Sequence, residues 1–152
     1  MLDRFLPRQI DNTYSGSKVA LWIFGLVVLV KGMISVNSML NGHYVASSAD
    51  GIPLDTFTPA CAQMVVSDFA TWGLAMLMIC LLCVLALVRY RAMVPLMFAV
   101  LLVENLARKL IAYLIPVEHV NAGAGFVNPA LIALMVIGLV LSVWIPWSRR
   151  PA

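Results

Sequence analysis

The chain has 152 residues, 62% hydrophobic and 11% charged, with a formal net charge of +3 and a mean hydropathy of +0.97. A soluble domain is roughly 45–50% apolar and about 25% charged, and a chain this short has too much surface to hide such an excess. The composition excludes a soluble enzyme, a disordered tail and a nucleic-acid-binding module, since the few basic residues are scattered over separate segments.

The expected class is an all-α integral membrane protein, because a helix needs about 20 mainly apolar residues to cross the hydrocarbon core. Four stretches qualify, at about 19–40, 62–88, 93–115 and 127–147. They predict a four-transmembrane-helix bundle forming a single domain over 1–152. Strands of a barrel do not fit, because these runs are continuous and not alternating. Before the first stretch stand Arg4, Arg8 and Lys18. Its apolar start, Val19 to Val30, has the length of a signal-peptide core, but Lys31 to Ala49 is far too long for a cleavage region. The outer loop, 43–61, is turn-rich, with Gly51, Pro53 and Pro59. Pro95 opens the third stretch, and Asn128-Pro129 opens the fourth.

Lysine and arginine counts near the spans set orientation. Arg4, Arg8, Lys18, Arg89, Arg91, Arg149 and Arg150 fall on one side, and the loops on the other side have none. Those loops carry Asp50, Asp55 and Glu118. The expectation is an inner (plasma) membrane protein with both termini cytoplasmic and the lipid bilayer as its first partner. Trp22, Tyr14, Tyr90, Trp144 and Trp147 fall at inner ends and Tyr44 and Tyr113 at outer ends, where amphipathic rings settle. Trp72 is the exception, inside the second stretch.

Five charged residues fall within the stretches: Lys31, Asp68, Glu104, Arg108 and Lys109. Charges there are costly, face the bundle interior and pair. At 1.5 Å of rise per residue, Lys31 is roughly 18 Å from the inner end of the first helix and Glu104 roughly 16 Å from that of the third. Their matched depth predicts a pair. Asp68 with Arg108 is a second predicted pair, and Lys109 snorkels outward. Lys31, Ser35, Ser38 and Gly42 form one helical stripe. Glu104, Asn105, Arg108 and Ala112 share a side of the third helix, and Asp68, Ala75, Ile79 and Ala86 align in the second. Three helices are thus expected to point polar stripes at a common axis. The cluster Lys31, Asp68, Glu104, Asn105, Arg108 and Lys109 is the candidate site.

Three functions compete. The first is a non-enzymatic accessory or assembly subunit, with the cluster making helix or partner contacts in a homo-oligomer or with another membrane protein. The second is a small proton-coupled or ion-conducting transporter with Glu104 as the titrating group, because a desolvated carboxyl titrates high unless a cation adjoins it. The third is a membrane redox protein. His43, His119 and Glu118 could form an outer-face metal or haem site, although no metal-ligand spacing is present and no cofactor is predicted. Cys80-Leu-Leu-Cys83 has dithiol spacing, but deep apolar burial makes thiols inert. Cys61 stands alone in the outer loop. Gly138-x-x-x-Ser142 would allow close helix approach, and dimerisation through that face is an expectation. The layout is similar to small bacterial four-helix membrane families such as the DoxX-like group, in span count and in a glycine-rich first helix carrying a lysine. That resemblance implies a fold and carries no function with it.

Overall fold

A computed structural model describes Asn12, Tyr14 and residues 16–116 and 126–143. Among them the protein is helical and no strand occurs. Four helices carry the fold: α1 (Lys18–Leu40), α2 (Pro59–Arg89), α3 (Val94–Leu114) and α4 (Val127–Val143). Side-chain caps and prolines set the boundaries. The Ser17 hydroxyl accepts from the Val19 amide at 3.3 Å and starts α1. The Thr58 hydroxyl accepts from the Cys61 amide at 3.4 Å, with Pro59 in the first turn where its missing N–H is harmless. Pro95 opens α3 in the same way.

The connection between α1 and α2 is shorter and more helical than the loop expected over 43–61. It runs through a turn at Gly42–Tyr44, a π-turn at Val45–Ala49 and a 3-10 turn at Leu54–Thr56. The π-turn is closed by the Asp50 amide on the Val45 carbonyl at 3.0 Å. Gly51, at φ 71°, takes a left-handed conformation that a side chain would resist. Val45, Ala46 and Leu54 are buried, so the connection folds back onto the bundle. Cys61, expected in the loop, lies instead in the first turn of α2. The Thr58–Pro59 cap draws the helix start three residues earlier than hydropathy alone places it. The fourth predicted stretch ends at 147, and its last residues lie outside those described.

α1 packs most closely on α2 and next on α4, while α3 packs chiefly on α4. Small residues make the α1–α2 seam. A Cβ added at Gly73 would sit 2.7 Å from the Ser35 carbonyl oxygen and 2.9 Å from the Met39 amide nitrogen. At the other end of the seam, a Cβ on Gly42 would lie 2.9 Å from the Val66 carbonyl oxygen. The apolar core sits nearer the other end of the bundle. Phe24 of α1 meets Phe98 of α3 edge to face, with ring centroids 4.8 Å apart. Gly138 of α4 makes room for that ring, because a Cβ there would collide with Phe98 Cζ. The Gly138–Ser142 step, expected to face a second copy, is therefore spent inside the chain. Both residues are buried, and the Tyr14 hydroxyl donates to Ser142 Oγ at 3.0 Å. Burial pushes the Tyr14 phenol above its ordinary titration range, and the bond to Ser142 opposes the shift.

α1 and α2 are long and apolar enough to cross a membrane. About two-thirds of each most apolar stretch is left unburied, since 33% and 28% of those stretches is buried. Leu29, Met33, Leu82 and Val88 are all more than half exposed, a surface unlike the scattered apolar exposure of a water-soluble monomer. α3 is interrupted by Glu104, Arg108 and Lys109, and α4 has 17 described residues.

Candidate functional site

α1 has polar groups on its inner side. Lys31, Ser35 and Ser38 are 4%, 0% and 0% exposed. The positions follow the helical repeat, so α1 buries a column of one ammonium and two hydroxyls. Ser35 Oγ donates to the Lys31 carbonyl at 2.7 Å. Lys31 Nζ donates to Glu104 Oε2 of α3 at 2.7 Å. One turn further along α3, Arg108 Nε stands 3.1 Å from Glu104 Oε1. The N–H is not aimed at that oxygen: both atoms are buried without a hydrogen-bond partner. The contact is coulombic, and the carboxylate keeps unused acceptor capacity. Asn105, 1% exposed, places Nδ2 3.5 Å from Glu104 Oε2.

α2 contributes an aromatic face. The Arg108 guanidinium carbon lies 4.4 Å from the centre of the Trp72 ring, within the range where the ring quadrupole attracts a cation. Lys31, Glu104, Arg108 and Trp72 thus tie three helices together. Two cations share one carboxylate, leaving a surplus of one positive charge. Such a set does not suit a metal cation, whose oxygen donor here is already held from both sides.

Asp68 does not join the cluster. It is exposed on α2, and its predicted pair with Arg108 does not form. The buried face of α2 is Gly73, Met76, Cys80, Cys83 and Ala86. Asp68 and Ala75 lie off that face, and of the expected α2 stripe Ile79 is half-buried and Ala86 buried. Depth alone pairs Asp68 with Arg108; rotation about the helix axis separates them. Lys109 and Ala112 are exposed, so the shared α3 side narrows to Glu104, Asn105 and Arg108.

Beside Arg108 is a cavity of about 160 Å³. Ser38, Asp50, Trp72, Arg108 and Asn128 are among its lining residues. The buried Ser38 hydroxyl has no hydrogen-bond partner among the described residues. His43 is exposed, and His119 and Glu118 lie outside the described residues. Among the described residues no group of three or more His, Cys, Asp or Glu could hold a metal. Cys80 and Cys83 are free thiols packed in the core.

Two contributors escape the sequence reading. Gly73 gives no charge signal and stands alone between larger residues. Trp72 is visible as an aromatic away from either belt, and that displacement is the available hint of an inward partner. No family model, curated protein or solved structure matches the chain.

Proposed function

We propose that this is a small multi-pass protein of the inner membrane, with four spans, both termini cytoplasmic and an accessory or assembly role without catalysis. The observation that carries the reading is the closed charged cluster. Lys31 is buried against Glu104, Arg108 is held between Glu104 and Trp72, and all four belong to one chain. Pairing of this kind makes α3 tolerable in hydrocarbon despite its charges. α4 is close to the length needed to span. With the cluster used internally, outward contacts fall to the apolar helix faces, so a partner would be met there by packing and not by charge.

Mass spectrometry of the protein extracted in native lipid tests this reading. A stoichiometric membrane partner or a defined oligomer is expected, and a stable lone monomer overturns it.

A second reading, a proton-coupled or ion-conducting transporter, is favoured by one observation. Glu104 Oε1, Arg108 Nε and Ser38 Oγ are buried and under-bonded, and Ser38 and Arg108 line the cavity beside them, whose wall is of mixed character. Unsatisfied buried polar groups often mark water or ions. Proton flux in liposomes with Glu104→Gln separates the two: a loss of flux favours transport, and unchanged flux removes Glu104 from any such path.

A further inference from the structure

The surface between α1 and α2, away from α3 and α4, is a long apolar groove. Two adjoining hollows of about 680 and 640 Å³ form it, each within the roughly 300–1,000 Å³ typical of small-ligand sites. Gly25, Leu29 and Leu87 line both. The groove exists because glycines replace side chains on this face of α1. A Cβ on Gly32 would meet nothing within 4 Å, and one on Gly25 would meet only Leu87 at 3.6 Å. These glycines are not there to let a helix approach, unlike Gly73. They leave space.

One end of the groove is cationic. Lys18 and Arg91 line it together, beside Trp22, which is 82% exposed. No acidic partner is seen for Lys18 or Arg91 among the described residues. Arg91 is fixed in place by its Nε, which donates to the Leu87 carbonyl at 3.1 Å. Gly25 lies roughly 10 Å along the helix from Lys18 and Gly32 roughly 21 Å. Half of a bilayer, counted out to its headgroup region, is roughly 20–22 Å, so the stretch from Lys18 at headgroup level to Gly32 matches one leaflet.

We propose that this groove is a binding site for one anionic phospholipid, its phosphate between Lys18 and Arg91 and an acyl chain along Gly25 toward Gly32. Charge complementarity selects the headgroup. The apolar channel, widened at Gly25 and Gly32, selects a chain. An indole beside the cations is suited to the interfacial level between the two. The proposal rests on the membrane reading above.

The test uses the full chain reconstituted into vesicles of phosphatidylglycerol and phosphatidylcholine with matched acyl chains, followed by native mass spectrometry of retained lipid. Phosphatidylglycerol is expected to be retained preferentially at one molecule per chain. Lys18→Ala and Arg91→Ala should each lower that preference by roughly fivefold, the weight of one basic residue near an anionic surface. Gly25→Leu, which fills the groove and leaves both cations, should reduce retention of both lipids. Equal retention of the two lipids by the unaltered protein, or lipid binding indifferent to all three variants, overturns the site. Failure of the chain to enter vesicles at all overturns the membrane reading, an outcome distinct from insertion without lipid preference.

Discussion

α1 holds its two charge-bearing neighbours in opposite ways. Against α2 it comes within backbone reach, with Gly73 on the Ser35 carbonyl and the Met39 amide, and the turn that follows continues the approach with Gly42 on the Val66 carbonyl. Against α3 there is little close backbone approach, and long side chains bridge the gap: Lys31 to Glu104 and Phe24 to Phe98. One seam works by lacking atoms, the other by having charged and aromatic ones. The difference teaches that in a chain this apolar, hydrophobicity does not choose neighbours. Shape does so on one side of α1 and charge on the other.

The comparison can be broken most severely at Lys31. Lys31→Leu takes the strong 2.7 Å hydrogen bond from Glu104 and leaves it the unaligned Arg108 contact and a long bond from Asn105, so the cost should approach the lower end of the roughly 3–5 kcal/mol for breaking a buried pair. Lys31→Leu with Glu104→Leu should be much milder. Equilibrium unfolding in mixed micelles reads both, and equal damage would mean that charge does not fasten α3 to α1. The shape-based seam is tested by Gly73→Ala. The added methyl meets backbone, which yields less readily than a side-chain tip, and overpacking costs about 1–3 kcal/mol. The same unfolding measurement checks it, and a neutral result would show that the seam is loose. Trp72→Leu removes the ring under Arg108 and keeps an apolar residue. A loss of about 0.5–2 kcal/mol is expected, and it should shrink when Glu104 is also replaced if the three groups act together. The smallest effect is at the end of the bundle. Tyr14→Phe deletes the donor to Ser142 and should cost about 0.5–1.5 kcal/mol. No change there would mean that the segment before α1 is not anchored to α4 through that bond.

Much of the polar side of α1 is legible from sequence because one helix has one period. Lys31, Ser35, Ser38 and Gly42 fall on a line, and all four are buried. The depth of Lys31 and Glu104 follows from counting residues, and so does their meeting. Asp68 shows the limit of that counting. Its depth suits Arg108, but its azimuth is set by where α2 presses on α1, and Gly73, not any charge, decides that. Gly138 is misjudged for a related reason. A small residue announces that something comes close without saying what, and here it is the Phe98 ring of the same chain. The start of α2 is readable in Thr58 and Pro59, although apolar content alone places it later. His119 and Glu118 stand outside the described residues, so the outer-face ligand idea has only His43, which is exposed.

The Lys31–Glu104 contact joins residues 73 positions apart in the chain. Ribosomes add roughly 5–20 residues per second, so for about 4–15 seconds the first helix exists before its counter-charge has been made. In that interval Lys31 lacks the carboxylate it pairs with in the folded chain, and its ammonium stands unneutralised on an otherwise apolar helix. On the proposed membrane reading, the lysine's cost of roughly 2.5–3.5 kcal/mol at a helix centre is offset by Glu104 only once α3 has been made.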